Sequence, residues 1–462
     1  MSNKNRLKSG GRIDRLTKIN FRFNGKKYSG FKGDTLASAL IANDIKVIAR
    51  SFKYHRPRGI IGVGVEDPAS LIELLGDDAS GNNLTTTVFL KEGLEVKSIN
   101  CWPSVNFDLG AITQMFARFI PAGFYYKTFK WPTWHLFEPS IRKAAGLAAA
   151  PENPPKTGHY ESRNSHCDVL IIGAGLAGLI STLMVGRAGA RVILVDQNSE
   201  SGGHLLNSKI HINDNAGLDW VSKVVEEIAK MPNVIHMQNS TAWAYREHNL
   251  VIVNQREIND SPIIERSWRI RTKKTVIATG AMERALVFSN NDRPGVMLAS
   301  AIQGYINRYA VKSGNDVVIF TNNDSAYYCV QDFLDSDINV VAIVDTRSEI
   351  SQKIIATVPD IKIFTGAVIK NIIGYKKVKS VVIESTIDQK LQTISCDLVA
   401  HSGGWNPTIH LHSQSRGTVR FDENIAAFVS DKNVQNSSVI GAANGSFVFS
   451  KIVVETQEIV KE

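Results

Sequence analysis

The stretch that most constrains this chain is a glycine-rich turn between an apolar strand and a helix. Residues 167–198 read CDVLIIGAGLAGLISTLMVGRAGARVILVDQN. The spacing of apolar residues predicts a strand Asp168–Ile172, an amphipathic helix and a second strand Arg191–Val195. A second βαβ unit begins near Asn315 with NDVVIFTNNDSAYYCVQDFLDSDINVVAIVDTR. The sequence therefore predicts an α/β fold with a Rossmann-type, two-dinucleotide core.

The first turn has the residues that a dinucleotide requires. Gly173 permits a tight turn, Gly175 lets the backbone approach a pyrophosphate, and Gly178 allows close helix–strand packing. The N-terminus of the following helix offers N–H groups and a partial positive charge to the phosphates. Asp196 ends the second strand and can accept hydrogen bonds from a ribose 2′-hydroxyl, while it would repel a 2′-phosphate. NAD or FAD is therefore favoured over NADP.

Two further turns bear on which dinucleotide binds. Reductases with FAD in the first site usually show an ATG turn, and Ala278, Thr279 and Gly280 supply one. Such enzymes also carry a Gly-Asp pair near the C-terminus, whose acid meets the flavin. Here VIGAANG places Gly441 and Ala442 at that point, so the acid is missing.

The second βαβ unit lacks a glycine fingerprint. Its turn, residues 321–326, reads TNNDSA, and side chains at these positions would crowd a pyrophosphate. We expect this unit to be a structural relic, which makes electron transfer from NADH to FAD within the chain doubtful.

The first 100 residues predict a smaller domain. Ile19, Phe21 and Phe23 alternate with polar residues ahead of an Asn-Gly turn, which predicts a hairpin. Asp34 is positioned to cap a helix with Leu36, Leu40 and Ile41 on one face. This order is typical of a β-grasp, ferredoxin-like domain. The loop after the helix, RSFKYHRPRG, has no cysteine, so we expect no iron–sulfur cluster.

We accordingly divide the chain into four parts. The ranges are 1–100 for the β-grasp domain, 101–165 for an aromatic-rich connector, 166–300 with 396–462 for the dinucleotide domain, and 301–395 for the inserted, degenerate second domain.

Composition excludes several classes of protein. An apolar share of 43% and a charged share of 21% are those of a globular chain. The four cysteines form no CxxC pair, so neither a zinc site nor a disulfide framework is indicated, and a reduced cytoplasmic compartment is expected. No signal peptide or membrane-spanning run is visible. The net charge of +9 is weak evidence for an acidic partner.

Several segments resemble one family. The segments GDTLASALIAN, RSFKYHRPRGI, PAGFYYKTFKWP, ATGAMER, NNDRPGVMLASA, TNNDSAYY and HSGGWNPTIHLHSQS are similar to the amino-terminal half of the alpha subunit of heterotetrameric sarcosine oxidase. The likeness runs from about Lys18 to Phe449. One departure is Ala285, where proline is expected. Another is the absence of the folate-binding, aminomethyltransferase-like half, for which we expect a truncated product or one half of a split gene.

The resemblance implies a cofactor set and partners. The family oxidises sarcosine to glycine, reduces O2 to H2O2 and transfers the methylene carbon to tetrahydrofolate. Its beta subunit holds FAD and FMN, and gamma and delta subunits complete the complex. The alpha subunit binds an NAD that does not turn over. The family's NAD contacts map here to Ala177, Asp196, Gln197, Asn198 and His204, with the glycine turn and Gly441 at the same site.

Other motifs leave alternatives open. The basic, aromatic loop RSFKYHRPRG could contact nucleic acid, a partner subunit or only solvent, and we favour contact inside the complex. Phe124, Tyr125, Tyr126, Phe129, Trp131 and Trp134 either fold against the core or dock on a partner. His401, His410 and His412 lack ligand spacing for a metal, and no residue stands out as a catalytic base or nucleophile.

Three functions follow from these patterns. The first is a non-redox, NAD-holding subunit of a flavin-dependent sarcosine oxidase, with no catalytic residue and no metal of its own. The second is a self-sufficient FAD-dependent pyridine-nucleotide oxidoreductase. The third is the alpha chain of a related opine, proline or amine dehydrogenase. Nucleic acid and membrane are not expected partners.

Overall fold

The computed structural model describes residues 3–119, 129–145, 159–212, 215–256, 263–358 and 360–461. The chain divides into two compact units. The first unit combines Met1–Lys156 with Ala285–Gly403, and the second combines Thr157–Arg284 with Gly404–Glu462. Among these described residues, no helix has both the length and the apolar character needed to cross a membrane.

The first unit begins with a mixed five-stranded sheet. Its strands lie in the spatial order Lys26–Lys32, Asp14–Phe23, Glu95–Ser98, Leu71–Leu74 and Ser80–Leu84. The predicted hairpin is confirmed, since Asn24 and Gly25 both adopt positive φ between its strands. Ile19, Phe21 and Phe23 are buried, as their alternation predicts.

The predicted cap of the first helix is wrong by one residue. The helix Leu36–Ala42 is capped by Thr35, whose hydroxyl accepts a hydrogen bond from the Ser38 N–H. Asp34 is instead fully buried, where it accepts from Phe31 N–H and pairs with Arg6 at 2.6 Å. The acid therefore anchors the N-terminal segment, and the threonine beside it begins the helix.

A parallel sheet forms the other half of this unit. Its five strands lie in the order Val296–Leu298, Leu398–Ser402, Asp316–Thr321, Asn339–Asp345 and Ile363–Phe364. Three antiparallel strands follow, Ala367–Gly374, Val378–Ser385 and Leu391–Ser395, and a short pair joins Ala49–Arg50 to Pro57–Arg58. The described helices of the unit are Leu36–Ala42, Trp134–Ala145, Ala299–Asn307, Val330–Leu334 and Gln352–Ile355, with 3₁₀ turns at Gly76–Asp78, Leu109–Phe119 and Tyr327–Cys329.

The second unit is built on a seven-stranded sheet. Six strands lie in the order Val234–Met237, Val192–Val195, His159–Ile172, Ile263–Ile277, Leu250–Arg256 and Ser240–Arg246, and Ser437–Val439 pairs with the fourth of them. The helices are Leu176–Arg187, Gly217–Ala229, His410–Gln414 and Phe449–Lys461, with 3₁₀ turns at Gly203–Asn207 and Gly441–Asn444. Short pairs join His211–Ile212 to Asn215–Ala216, Ala281–Glu283 to Trp405–Pro407, and Val419–Asp422 to Ala427–Ser430.

The strand before the glycine turn starts earlier than the sequence predicts. It begins at His159, whereas polar residues and prolines led us to expect a connector to residue 165 and a strand from Asp168. The added residues pair in parallel with the strand Ile263–Ile277, from His159 opposite Ile263 onward. Their side chains are mostly exposed, so the apolar signal on which a strand prediction rests is absent.

Candidate functional site

The glycine turn of the second unit is shaped by two contacts that leave no room for a Cβ atom. Gly173 has φ of 104°, and a Cβ there would lie 2.4 Å from the Ala278 carbonyl oxygen. A Cβ on Gly178 would lie 1.7 Å from the Gly173 carbonyl oxygen. The Gly173 N–H donates to Val195 O at 2.8 Å, which ties the turn to the neighbouring strand. Glycine is therefore a steric requirement at both positions.

Gly175 differs from these two glycines because the space beside it is open. It begins the helix Leu176–Arg187 with φ of −77°, and a Cβ there would meet nothing closer than 3.9 Å. Among the residues that the structure describes, no side chain caps this helix end. The helix N-terminus is thus available to an anionic group, and the fit to a pyrophosphate is good.

Asp196 lies at the end of the neighbouring strand, facing the turn. Its carboxylate accepts from the Ala174 N–H of the glycine turn and from the Asn198 N–H at 2.7 Å and side-chain amide at 3.0 Å. The residue is 5% exposed. Asp196 therefore positions the turn itself, and its bond to a ribose stays a prediction. Gln197 is exposed and Asn198 is half-buried.

The loop after this strand returns to the glycine turn. The Gly202 N–H donates to Ala174 O at 2.8 Å, and a Cβ on Gly203 would lie 2.9 Å from the Gly175 Cα. His204 follows with its ring edge-on to Trp405, 5.3 Å between ring centres. Burial lowers the pKa of His204, although its side chain is still open to solvent.

The ATG turn lies on the other side of the glycine turn. The Ala278 N–H donates to Ile172 O at 2.9 Å, while the Thr279 hydroxyl donates to Thr408 O at 2.6 Å. Gly280 adopts positive φ and accepts from the Thr408 N–H at 2.9 Å. The turn is therefore fixed by its own neighbours.

The C-terminal turn contacts the glycine helix as well. Gly441 has φ of 65°, and a Cβ there would lie 2.7 Å from the Ala177 Cβ. The Gly441 N–H donates to Glu455 at 2.7 Å, and the same carboxylate accepts from Asn444 at 3.1 Å. Ala442 is half-buried. Glu455 was missed by the sequence analysis, because an isolated acid on an amphipathic helix carries no motif.

The structure thus brings together the residues assigned to the first site. Gly173, Gly175 and Gly178 form its centre, Asp196 and the 202–204 loop flank it, and the turns at Ala278 and Gly441 close on the start of its helix. The binding role of each residue stays a prediction.

The second turn, in the first unit, is filled by its own polar side chains. The Asn323 amide donates to Ser402 O and Oγ, each at 3.2 Å, and its oxygen accepts from Ser325. Arg347 bridges Asp345, which ends the neighbouring strand, and Asp324 of the turn at 2.7 Å. These bonds occupy the backbone and the acid that a dinucleotide would otherwise use.

The basic loop RSFKYHRPRG is paired within the chain. Arg50 is 4% exposed, and its guanidinium donates to Val105 O at 2.8 Å and Tyr375 Oη at 3.2 Å. Arg56 and Arg58 both bind Asp292, at 2.5 and 2.6 Å. Three of the cations that a nucleic acid would require therefore already have partners. Contact between this loop and another subunit stays a prediction.

The remaining candidates divide between the units. The three histidines are divided between the units: His401 lies in the first, and His410 and His412 lie in the second. Among the described residues, no cluster of three metal-binding side chains occurs.

Of the aromatic residues of the connector, Trp131 and Trp134 are exposed and Phe129 packs on Phe137 at 5.1 Å between ring centres. Phe124, Tyr125 and Tyr126 lie outside the described residues.

Two family models match the chain. Residues 17–101 match a 2Fe-2S iron-sulfur cluster binding domain, and residues 167–319 match pyridine nucleotide-disulphide oxidoreductase. Such clusters are held by cysteine thiolates, and residues 17–101 contain only Cys101, whose thiol pKa is raised by burial. The residues present therefore do not fit a 2Fe–2S cluster, and a domain without one stays a prediction.

A solved structure with the same fold is L-proline dehydrogenase from P. horikoshii. Its TM-score is 0.67 at 18% identity, over 99% of this chain and 75% of the other. At this identity the likeness shows the fold alone. Together with the second family model, it supports a Rossmann-like α/β core.

Two relatives have higher sequence identity. Sarcosine oxidase subunit alpha of Rhizobium meliloti (strain 1021) is 41% identical over 95% of this chain, which spans 45% of that relative. The same subunit of Corynebacterium sp. (strain U-96) is 33% identical over 95% of this chain and 42% of its own length. The chain therefore spans less than half the length of these relatives. Because the similarity extends over nearly all of its residues, the chain is identified as a homologue of the amino-terminal half of sarcosine oxidase alpha subunits.

Proposed function

We propose that this chain is the dinucleotide-holding, redox-idle subunit of a sarcosine oxidase-type complex. In the proposed reaction, sarcosine, O2 and tetrahydrofolate give glycine, H2O2 and methylenetetrahydrofolate. FAD and FMN of a beta subunit would carry out the oxidation, with gamma and delta subunits and a folate-binding half completing the assembly. NAD would remain bound to the chain without being reduced.

The contrast between the two nucleotide-type turns carries this proposal. The first turn has an open helix end at Gly175, while the second is bridged by Arg347 and filled by Asn323. Of the two described nucleotide-type turns, the first can hold a dinucleotide, whereas the filled second turn offers no place from which NADH could reduce a flavin. Ala442, at the place of the flavin-binding acid, agrees with NAD in the first site.

The residues assigned to NAD come from the family resemblance, and the geometry of the first turn supports the assignment. The pyrophosphate would lie at the helix N-terminus beside Gly173, Gly175 and Ala177. Asp196, Gln197 and Asn198 would face the adenosine ribose, and His204 would line the wall beside Trp405. Bound NAD can in principle accept a hydride. In the proposed reaction no hydride is transferred to it. We place the chain in the cytoplasm, since its four cysteines lie far apart in the sequence and form no CxxC pair, as is usual in a reduced compartment.

The nucleotide that the purified chain carries tests the proposal. The visible spectrum is recorded first, and the protein is then denatured and the released nucleotide is identified by mass spectrometry. A colourless protein that releases NAD is expected. A yellow protein that releases FAD would overturn the proposal in favour of a self-sufficient flavoenzyme.

The substrate is tested on the assembled complex. The chain, its flavin subunit and the remaining subunits are purified together, and H2O2 formation is compared with sarcosine, proline and an opine as substrates. Preference for sarcosine is expected. Preference for proline or an opine would place the chain with a related dehydrogenase.

A further inference from the structure

The helix Leu109–Phe119 of the first unit carries its apolar side chains outward. Leu109, Ile112, Met115, Phe116 and Phe119 recur at helical spacing and are between 50% and 78% exposed. None of the eleven residues of this helix, all of them described, is buried. We call these five residues the outer stripe. An amphipathic helix of a lone chain normally turns such a stripe to the core.

The polar side of the same helix faces the protein. The Thr113 hydroxyl lies 3.4 Å from Lys53 O, the Gln114 amide donates to Tyr375 Oη at 3.3 Å, and Ala117 O accepts from Tyr54 Oη at 3.4 Å. The helix therefore rests on the basic loop through polar contacts. Its orientation is inverted relative to an ordinary surface helix.

The start of the helix is anchored by a buried acid. The Asp108 carboxylate accepts from the N–H groups of Trp102 and Gly110, at 3.0 and 3.1 Å. It also bonds to His55 Nδ1 at 2.7 Å. A Cβ on Gly110 would lie 2.3 Å from the His55 ring, so the backbone is packed directly on the imidazole. The outer stripe is therefore presented by a fixed support.

The apolar area is large enough for an interface. Trp102 and Phe107, 68% and 66% exposed, adjoin the helix in sequence, and the Leu109 N–H donates to Trp102 O at 2.8 Å. Seven large side chains at these exposures present on the order of 800 Å², about what one partner contributes to a standard interface. Monomers seldom leave so large an apolar patch without a function.

The charge around the outer stripe is basic. Arg118 is exposed and lies over the Phe119 ring at 5.3 Å, and Lys53 lies over the Tyr54 ring at 4.8 Å. The one carboxylate among residues 101–119, Asp108, is buried beneath the helix. Two copies of this surface would bring like charges together, whereas a partner with acidic residues at its border would be attracted.

We propose that the outer stripe docks the flavin-bearing subunit of the complex, in an apolar groove bordered by carboxylates. Leu109, Ile112 and Met115 recur at every third residue, which is the repeat of a 3₁₀ helix, and Phe116 and Phe119 recur in the same way beside them, so the stripe forms a continuous apolar ridge. The inference rests on the proposed function, because it takes its partner from there. It adds the surface by which the two subunits meet.

Charge placed in the stripe tests the proposal. The double variant Met115→Asp/Phe116→Asp is compared with Phe428→Asp, since Phe428 is 55% exposed on a strand pair of the second unit and Phe116 is 52% exposed. Binding to the purified flavin subunit of the complex is measured by native mass spectrometry and titration. We expect the stripe variant to bind at least about 100-fold more weakly, and the control to bind as the wild type does. Bound nucleotide and circular dichroism verify that each variant is folded.

The other results overturn the proposal in distinguishable ways. If the wild-type chain does not bind the flavin subunit, the proposed function fails. If the wild type and the stripe variant bind it equally well, only the docking surface is wrong. Dimerisation of the wild-type chain that the stripe variant abolishes would assign the surface to a second copy. Loss of binding to phosphatidylcholine–phosphatidylglycerol vesicles in that variant alone would assign it to a membrane.

Discussion

In the first turn, Gly175 and Gly178 differ in what a side chain at each position would disturb. Gly178 has no space for a side chain, while Gly175 has space and an ordinary φ. A methyl group at each position therefore reports on a different property, packing in one case and ligand approach in the other.

Gly178→Ala is expected to lower both stability and dinucleotide binding. Its methyl group would lie 1.7 Å from the Gly173 carbonyl oxygen, so the helix has to move from the strand, at about 3 kcal/mol or more. Gly175→Ala is the matched control. It should lose the nucleotide, because its methyl group occupies the approach to the helix end, but unfold at nearly the same temperature as the nucleotide-free wild type. Thermal unfolding and nucleotide release measure the two effects. Full nucleotide retention in Gly175→Ala would contradict binding at this point.

His401 is expected to make the chain acid-sensitive. It is 1% exposed, and burial lowers its pKa from 6.5 to about 4. The unfolded chain therefore binds the proton first, so stability is complete above about pH 6.5 and falls as the pH drops toward 4. The loss due to this group is at most about 3 kcal/mol.

His401→Asn provides the comparison, because its side-chain oxygen can replace Nδ1 as the acceptor for the Leu286 N–H. Urea unfolding of both proteins between neutral pH and pH 4.5 measures the effect. The wild type should lose more stability than the variant over this interval. Equal losses would show that His401 is protonated without penalty in the folded chain.

At the level of elements, the basic loop and residues 290–293 are joined by ion pairs at Asp292. Asp292→Asn is expected to cost about 2–3 kcal/mol, because Arg56 and Arg58 would lose the charge that they share in a half-buried position. Asp388→Asn removes a solvent-exposed ion pair with Lys390 and should change nothing measurable. Urea unfolding at neutral pH compares the two. An equal loss of unfolding free energy in the two variants would show that the Asp292 ion pairs stabilise the chain no more than an exposed ion pair does.

The C-terminal turn depends on a carboxylate from the last helix. Glu455→Ala removes the acceptor of the Gly441 N–H and is expected to weaken dinucleotide binding about 10-fold, because the turn lies against Ala177. Glu458→Ala, an exposed change on the same helix, is the control. Titration with NAD measures both affinities after release of bound nucleotide. Unchanged affinity in Glu455→Ala would remove this turn from the site.

These elements show what the sequence could predict. The glycine turn, the hairpin at Asn24 and the strand Asp316–Thr321 follow from local signals, namely positive-φ residues and apolar runs. The start of the strand at His159 does not, because its residues are polar and pairing with a neighbour stabilises it. The contact of Glu455 with Gly441, the Arg347 bridge and the orientation of the outer stripe depend on tertiary contacts, and no local sequence pattern encodes them.

At the level of the whole molecule, the chain contains two nucleotide-type folds but should bind one dinucleotide. The first turn keeps an open helix end, whereas Asp345, fully buried, is held by Arg347 and by the Tyr327 hydroxyl at 2.9 Å. Entry of a second dinucleotide would have to break these bonds and leave a buried carboxylate without its cation, at a cost of several kcal/mol. We therefore expect a stoichiometry of one.

Native mass spectrometry of the nucleotide-depleted chain, titrated with NAD and separately with NADH, measures that stoichiometry. One dinucleotide should bind in each case, with no second binding step as the concentration rises. Gly175→Ala should abolish this binding, and Asn323→Ala in the second turn should leave it intact. Two dinucleotides per wild-type chain would mean that the Arg347 bridge opens on binding, and the second fold would then be a working NADH site.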